Sequence, residues 1–165
     1  MNAKFYRRVL VLIILLWIAG CTLADNAPSG ETGARVVRVI DGDTIDVEVN
    51  GQTHRVRYIG INTPESDEAC FAEATAANAA LVTGQQVRLV KDQSETDRFD
   101  RLLRYVYVGE TFVNARMVEE GWAESARYDP DVQHFETFRQ LEAQAASAGR
   151  GCHPTNVFND GSYTR

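Results

Sequence analysis

The sequence has no excess of positive charge. It is 165 residues long and carries 17 lysine and arginine residues against 23 aspartate and glutamate residues, a formal net charge of -6. Lys4, Arg7 and Arg8 lie at the N-terminus, and without them 14 basic side chains stand against 23 acidic ones, for a net charge of -9. This balance excludes a general polycationic surface for nucleic acid. Any action on a polyanion therefore requires a local site with its own cations.

Proline is also scarce. The chain has four prolines and 12 glycines, while 44% of its residues are hydrophobic and 24% are charged. These values exclude a low-complexity or largely disordered chain. The length suggests a single folded domain.

The apolar run near the N-terminus is too short to span a bilayer. Residues 9–18 are apolar, about half of the ~20 residues that a transmembrane helix requires. The run follows three positive charges and leads to Ile-Ala-Gly-Cys, so it is typical of a cleavable export signal, with a buried core helix as the alternative. The ending resembles the bacterial lipoprotein signal. This implies that residues 1–20 are removed, that Cys21 is lipidated, and that the protein is anchored to a membrane outside the cytoplasm.

The rest of the chain divides into three parts. Residues 21–33 have almost no large apolar side chains and are predicted to form a flexible tether. A folded domain is expected over residues 34–152. Residues 153–165 are polar and form a tail.

Local patterns predict an α+β fold. Asn50-Gly51 is a strong signal for a two-residue hairpin between two β-branched runs. The predicted strands cover residues 36–40, 44–49, 53–59, 86–90 and 102–108. The predicted helices cover residues 67–82, 112–120 and 130–149, the last with Asp129 as its N-cap. Five strands with inserted and terminal helices are compatible with a Greek-key OB-fold barrel carrying about three helices.

Two cysteines remain once Cys21 is assigned to the lipid. Cys70 and Cys152 form an even pair in a compartment outside the cytoplasm, which favours a disulfide between them. Two independent buried thiols are the alternative.

Two segments offer oxygen ligands. Residues 41–44, Asp-Gly-Asp-Thr, present two carboxylates that suit a hard cation, although an ordinary turn is the local alternative. Residues 57–65, Arg-Tyr-Ile-Gly-Ile-Asn-Thr-Pro-Glu, supply a cation, an amide and a carboxylate. Pro64 directs the backbone out of the sheet, so its carbonyls become available as ligands. The local alternative is that Arg57 is a surface strand residue and Glu65 caps a helix.

A third segment is rich in arginine. Residues 97–105 begin with Asp-Arg-Phe-Asp-Arg and lead into a predicted strand. The guanidinium groups of Arg57 and Arg101 can hold one phosphate by parallel hydrogen bonds and stabilise charge that develops on it. A solvated charged turn is the alternative.

The order and spacing of these segments resemble the thermonuclease family, the staphylococcal nuclease-like proteins. Asp-Gly-Asp-Thr is followed by Arg-x-x-x-x-Asn-Thr-Pro-Glu, by Asp-Arg-Phe-Asp-Arg, and by Val-Asn-x-x-Met-Val-x-x-Gly-x-Ala, and the match covers residues 34–151. The resemblance implies an OB-fold carrying a Ca²⁺-dependent nuclease that hydrolyses phosphodiester bonds of DNA and/or RNA with little sequence preference.

The resemblance also implies roles for individual residues. The implied catalytic residues are Arg57, Glu65 and Arg101, with Glu65 orienting or deprotonating the attacking water. The implied calcium ligands are Asp43, Asn62 and the carbonyl of Thr63, with Asp41 as an adjacent carboxylate. The implied substrate contacts are Arg98, Phe99 and Tyr128.

Four positions depart from the family pattern. Asn62 stands where aspartate is common, and the lost charge implies weaker calcium binding or another divalent metal. Phe99 replaces a common tyrosine and Asp100 replaces a glycine, while Ala126 stands at the second aromatic position near the substrate. These departures bear on substrate and metal affinity.

The sequence therefore predicts an exported, lipid-anchored, metal-dependent phosphodiesterase that acts as a monomer without an organic cofactor. One alternative is a non-catalytic OB-fold module that binds nucleic acid or protein. Another is a structural envelope lipoprotein. Retention of Arg57, Glu65 and Arg101 together favours the enzyme, because a binding module needs no carboxylate beside the phosphate.

Overall fold

The computed structural model describes residues 31–159. Cys21, the predicted signal at residues 1–20 and the tether up to residue 30 lie outside the described residues, as do residues 160–165 of the predicted tail. Within residues 31–159, none of the helices has the length and apolar character needed to cross a membrane.

Five strands form a closed barrel, as predicted. The strands are β1 (Glu31–Val39), β2 (Thr44–Val49), β3 (Gln52–Tyr58), β5 (Gln86–Val90) and β6 (Leu102–Val108). They lie in the order β3-β2-β1-β5-β6, and a parallel pairing of β3 with β6 closes the barrel. All other neighbours along this order are antiparallel. The α+β barrel expected from the strand pattern is therefore confirmed.

The strand ends differ from the prediction by only a few residues. β1 begins at Glu31 rather than at residue 36, because its first residues pair with β5, Glu31 lying opposite Leu89. Residues 31–33, which were predicted to belong to the tether, are therefore part of β1. Asn50 and Gly51 have φ angles of 51° and 78°, which is the conformation that a two-residue hairpin turn requires.

The barrel interior is a continuous apolar core. Ile45, Val47, Val56 and Val106 are fully buried, and Tyr58 is 1% exposed. Burying one such side chain contributes about 1.5 to 3 kcal/mol of transfer free energy. The β-branched runs that predict the strands therefore also provide the packing that holds the barrel closed.

Three helices pack around the barrel, each shorter than predicted. They are α1 (Phe71–Val82), α2 (Val113–Glu119) and α3 (Phe135–Ser147). The prediction that α1 begins at residue 67 was wrong, because Cys70 adopts a left-handed φ of 70° immediately before Phe71 and interrupts the helical geometry. The same cysteine forms the expected disulfide with Cys152, with Cα atoms 5.6 Å apart.

The predicted start of α3 was also wrong. Asp129 and Pro130 belong to a turn with a cis peptide bond, closed by a bridge between Tyr128 and Asp131, and α3 begins only at Phe135. Proline after aspartate suits both a turn and the first turn of a helix, so the local pattern does not decide between them. On α3, Phe138 and Ala145 are buried.

Three short strands and two 3-10 turns complete the described structure. β7 (Thr111–Phe112) pairs with β6. β4 (Ile61–Asn62) and β8 (Glu124–Ser125) form a separate two-stranded sheet in which Asn62 lies opposite Glu124. Two 3-10 turns, His153–Thr155 and Val157–Asn159, follow Cys152, so the described part of the predicted tail is structured.

Candidate active site

The side chain of Arg57 is the centre of a buried polar network. Arg57 lies near the end of β3 and is 8% exposed, so the local alternative of a surface residue was wrong. Its Nε lies 3.1 Å from Oδ1 of Asp43. Its Nη1 donates to the carbonyls of Tyr58 and Ile61 at 2.8 and 2.9 Å, and its Nη2 donates to Oδ1 of Asn62 at 3.0 Å. The guanidinium is therefore fixed from several sides.

Asp43 connects the two segments that the sequence analysis singled out for oxygen ligands. Its Oδ2 accepts hydrogen bonds from the backbone N–H and the hydroxyl of Thr63, at 2.9 and 3.0 Å. Its Oδ1 accepts from the hydroxyl of Thr44 at 3.1 Å. The turn lies directly against Thr63, since a Cβ atom placed on Gly42 would come within 2.7 Å of that side chain. Glycine at this position is thus required by the close approach.

Asp41 adds a second carboxylate to the same turn. Its Oδ1 accepts a hydrogen bond from the backbone N–H of Asp43 at 3.0 Å. Burial and then the negative charge of Asp43 raise the pKa of Asp41 to about 6, against the opposing effects of the Asp43 N–H, the Thr44 hydroxyl and Arg57. The turn therefore concentrates negative charge that a bound cation would stabilise.

The donor set fits a hard divalent cation. Arg57 contacts both Asp43 and Asn62, and Asp43 accepts hydrogen bonds from Thr63. The three predicted ligands are therefore held close together, with Asp41 beside Asp43. All of them offer oxygen, the ligand atom that Ca²⁺ and Mg²⁺ prefer. Within residues 31–159, no group of three or more histidine, cysteine, aspartate or glutamate side chains is arranged to hold a metal. A cation here would thus rest on two carboxylates and on neutral oxygens.

A cavity of about 520 Å³ opens beside this network. It brings together five of the residues that the sequence analysis assigned to catalysis or substrate binding, three of them arginines. Acidic side chains also contribute to its wall. The lining residues are Arg57, Tyr58, Ile59, Ser94, Asp97, Arg98, Phe99, Arg101, Leu103, Tyr128, Asp129 and Asp131. Arginine is therefore concentrated at the cavity although the protein as a whole is acidic.

Arg101 is held at the cavity by Asp97. Its Nε and Nη2 lie 2.7 and 2.6 Å from Oδ2 of Asp97, and its backbone N–H donates to Oδ1 at 3.0 Å. Burial acts to raise the pKa of Asp97, but the hydrogen bonds from Arg101 and from the Phe99 N–H together lower it by more. The pKa of Asp97 therefore lies below its usual value. Asp100, which stands where the family has glycine, accommodates the tight loop with a φ of 59°.

Phe99 forms an exposed aromatic surface at the cavity. Its side chain is 63% exposed, which is unusual for a large apolar residue. The guanidinium carbons of Arg98 and Arg101 lie 4.7 and 5.4 Å from its ring centroid. Cation–π contacts with these two arginines orient the ring, and its exposed face is available for stacking.

Glu65 is not among the residues that line the cavity. It follows Thr63 by two residues and is exposed, and its backbone N–H donates to the carboxylate of Glu68 at 2.7 Å. The structure thus brings Arg57 and Arg101 to one cavity and leaves Glu65 outside the lining.

Two acidic residues of the site were missed by the sequence analysis. Asp131 is 4% exposed and accepts hydrogen bonds from the backbone N–H groups of Gln93 and Ser94, both at 2.8 Å, which ties the residues just before the arginine-rich segment to the turn after Tyr128. Glu124 is also 4% exposed, and its Oε1 accepts a hydrogen bond from Nδ2 of Asn62 at 3.2 Å. The sequence signal for Glu124 is weak, since it is an acid between two small residues, Ala123 and Ser125.

Comparison with known proteins identifies the family of this chain. The family model described as staphylococcal nuclease homologue matches residues 55–152. The chain is 36% identical over 128 residues to a thermonuclease of Staphylococcus hyicus, covering 74% of this chain and 76% of that protein. It is 40% identical over 121 residues to a micrococcal nuclease of Shigella flexneri, covering 66% and 68%, and 36% identical over 118 residues to the endonuclease YncB of Bacillus subtilis (strain 168), covering 67% and 56%. The chain therefore belongs to the staphylococcal nuclease homologues, a family of hydrolytic nucleases.

Proposed function

We propose that this protein is a Ca²⁺-dependent nuclease that hydrolyses phosphodiester bonds in DNA and/or RNA. The observation that carries the proposal is the double contact of Arg57. Its guanidinium lies against Asp43, a candidate cation ligand, and the same residue lines the cavity together with Arg101. A phosphate in the cavity would therefore lie next to both the arginines and the cation site.

The cavity also accounts for the binding of a polyanion by an acidic protein. Arg57, Arg98 and Arg101 all line it. Because Asp97, Asp129 and Asp131 line it too, the attraction for phosphate comes from the guanidinium groups themselves and not from a net positive charge of the lining. Guanidinium groups suit phosphate because they donate two parallel hydrogen bonds and stay charged. Phe99 adds a stacking surface that accepts any base, which supports low sequence preference.

The chemistry proposed for the chain's own residues is in-line hydrolysis. Arg57 and Arg101 bind the phosphate oxygens and stabilise the charge that develops as a water oxygen bonds to phosphorus and the ester P–O bond breaks. Glu65 orients the water or takes its proton, and the leaving oxygen gains a proton. When bound by Asp43, Asn62 and Thr63, with Asp41 adjacent, Ca²⁺ would polarise the phosphate. The role of Glu65 is supported by its place in the motif, and it requires the reacting phosphate to extend beyond the cavity lining toward the exposed Glu65 side chain.

The location and assembly of the protein are further parts of the proposal. We place it at the cell envelope, exported and held at a membrane by lipid on Cys21, where it acts as a monomer. The support is the sequence pattern at residues 1–21, which resembles a lipoprotein signal. The Cys70–Cys152 disulfide agrees with a compartment outside the cytoplasm.

The test is a cleavage assay with a matched pair of arginine variants. The purified chain is incubated with single-stranded DNA, duplex DNA and RNA while calcium is titrated against EDTA. Arg101→Ala removes a cavity arginine, whereas Arg139→Ala removes an exposed arginine of α3 that pairs with Glu136. We expect calcium-dependent cleavage that falls at least about 100-fold in Arg101→Ala and is unchanged in Arg139→Ala.

Two outcomes would contradict the proposal. Cleavage that persists in EDTA with the same rate would remove the calcium dependence. Nucleic acid that is bound but not cut at any calcium concentration would favour the alternative, a non-catalytic binding module on the same barrel.

A further inference from the structure

A buried carboxylate lies directly behind the candidate cation ligand Asn62. Glu124 in β8 is the cross-strand partner of Asn62 in β4. The two residues are 4% and 1% exposed, and Nδ2 of Asn62 donates to Oε1 of Glu124 at 3.2 Å. We infer that Glu124 is a positioning residue that fixes the amide of Asn62 with its oxygen directed toward Arg57 and the cation site.

The neighbours of the amide allow only one orientation. On one side, Nη2 of Arg57 is a donor and requires an acceptor, and Oδ1 of Asn62 lies 3.0 Å from it. On the other side, the Glu124 carboxylate is an acceptor and requires a donor. Reversing the amide would place its NH₂ group against the guanidinium and its oxygen against the carboxylate. In a buried site both contacts would then be repulsive, so Glu124 and Arg57 together fix the orientation.

The orientation matters because of the role of Oδ1. An amide oxygen has two lone pairs, and Arg57 uses one of them. The second is available to a cation only while the amide keeps this orientation. The inference rests here on the proposed function, in which Asn62 is a ligand of the cation.

Glu124 also changes the charge balance at the site. Asn62 is neutral at a position where the family commonly has aspartate, so the first expectation is a site with one fewer negative charge. The carboxylate of Glu124 restores a formal negative charge, but it lies behind Asn62 and not at the candidate cation site itself. Asn62 and Glu124 therefore act as a unit, and a carboxylate at position 62 would meet a second carboxylate across the strand pair.

β8 has a separate anchor, which supplies a matched control. The backbone N–H of Ser125 donates to Oε2 of Glu142 in α3 at 3.1 Å, and the Ser125 hydroxyl bonds to the same oxygen. Glu142→Gln therefore weakens the attachment of β8 without touching Asn62. Glu124→Met removes the acceptor that faces Asn62 and nearly keeps the size of the side chain, whereas Glu124→Gln removes only the charge.

The experiment is a double-mutant cycle with two readouts. Wild type, Asn62→Asp, Glu124→Met, Glu124→Gln, the double variant Asn62→Asp with Glu124→Gln, and Glu142→Gln are compared by melting temperature in EDTA and by calcium affinity in titration calorimetry. We expect Glu124→Met, which lacks an acceptor for Asn62, to weaken calcium binding about 10-fold, the scale of a lost partner behind a metal ligand. We expect Asn62→Asp to lower the melting temperature by several degrees, and Glu124→Gln to restore it in the double variant, because Gln can donate to the new carboxylate.

The outcomes separate this inference from the proposed function. If Glu124→Met binds calcium as wild type does, or if Asn62→Asp and Glu124→Gln have additive effects on the melting temperature, the positioning role is wrong. If Glu142→Gln weakens calcium binding as much as Glu124→Met, the effect belongs to β8 as a whole and the inference fails. If wild type binds no calcium, the proposed function fails, while the cycle in EDTA still tests the coupling of Asn62 with Glu124.

Discussion

Nε of Arg57 lies 3.1 Å from Oδ1 of Asp43, so one buried contact joins the arginine cavity to the candidate cation site. The barrel creates this contact by register, since Thr44 and Arg57 are cross-strand partners in β2 and β3 and Asp43 precedes Thr44. Asp43 in turn holds the backbone N–H of Thr63. The positions of the phosphate-binding and cation-binding groups are therefore fixed by the same strands that close the barrel.

Arg57→Ala is expected to destabilise the protein strongly. The substitution leaves the Asp43 carboxylate without its buried partner and two carbonyls without their donor, which costs about 3 to 5 kcal/mol of unfolding free energy. Arg57→Lys should recover part of this loss, because an ammonium keeps the charge but lacks the planar set of donors. Urea denaturation of both variants measures the difference.

Arg55 provides the control on the same strand. It also pairs with an aspartate, Asp46 at 2.8 Å, but its side chain is 49% exposed. An exposed pair contributes at most about 1 kcal/mol, so Arg55→Ala should have a small effect. Equal losses in Arg55→Ala and Arg57→Ala would contradict the assigned importance of the buried network.

Glu65→Gln is expected to reduce turnover and to leave folding unchanged. A carboxylate that orients water or accepts its proton contributes about 100-fold or more to the rate, whereas the exposed side chain of Glu65 contributes little to packing. The measurements are kcat with single-stranded DNA and the melting temperature. Glu73→Gln, an exposed acid in the first turn of α1, is the control and should retain full turnover. Full turnover by Glu65→Gln would rule out its catalytic role.

Phe99→Ala is expected to weaken substrate binding without affecting stability. The ring is 63% exposed and lies against Arg98 and Arg101, so it presents a face on which a base can stack. Loss of one stacked base costs about 1 to 3 kcal/mol, which should appear as a higher KM for single-stranded DNA. Phe99→Tyr should keep the KM. Val37→Ala removes another exposed apolar side chain, from β1, and a similar rise in KM for that variant would show that the effect is not specific to the cavity.

The barrel could be predicted from the sequence because its signals are local. The β-branched runs and Asn50-Gly51 define strands and a hairpin within a few residues. The start of α3 could not be predicted in this way. Asp129 and Pro130 have the same local pattern at a helix start and in a turn, and the contacts of Asp131 with the backbone of Gln93 and Ser94, which help to stabilise the turn, are long-range.

The candidate site could be predicted only in part, because its contacts are long-range. The motif spacing identified Arg57 and Asn62, but not that Arg57 is buried or that Asn62 faces a carboxylate. Glu124 reaches Asn62 through the pairing of β4 with β8, which joins segments 62 residues apart in the chain. Neither short strand has a pattern of its own that a single sequence reveals.

Reduction of the Cys70–Cys152 disulfide is expected to destabilise the protein. The bond joins residues 82 positions apart and ties the start of α1 to the segment after α3. Loss of a native disulfide of this kind costs about 2 to 5 kcal/mol, chiefly because the unfolded chain regains freedom. The double variant Cys70→Ala, Cys152→Ala should melt as the reduced wild type does. An unchanged melting temperature in reducing agent, with both thiols titratable, would contradict the structural role of the bond.

Acidification should lower stability through His134. Its ring lies 4.6 and 5.0 Å from the rings of Tyr105 and Phe112, centroid to centroid, and burial lowers the pKa of His134 below its usual value despite the opposing charge of Asp92. Between that lowered pKa and the unfolded value of about 6.5, the unfolded chain binds more protons than the folded one. The unfolding free energy therefore rises with pH through this interval, and the gain is complete above the unfolded pKa.

His134→Gln should reduce this pH dependence. The measurement is the unfolding free energy in urea between about pH 5.5 and pH 7.5, taken as the difference between wild type and variant. Asp41, whose pKa is raised to about 6, titrates in the same interval, but it does so in both proteins and cancels in the difference. Burial also lowers the pKa of His153. The part of the pH dependence that comes from His153 should therefore remain in His134→Gln and be lost in the double variant with His153→Gln. A difference that does not change with pH would show that folding does not shift the pKa of His134, and the aromatic cluster around it would then tolerate the charged ring.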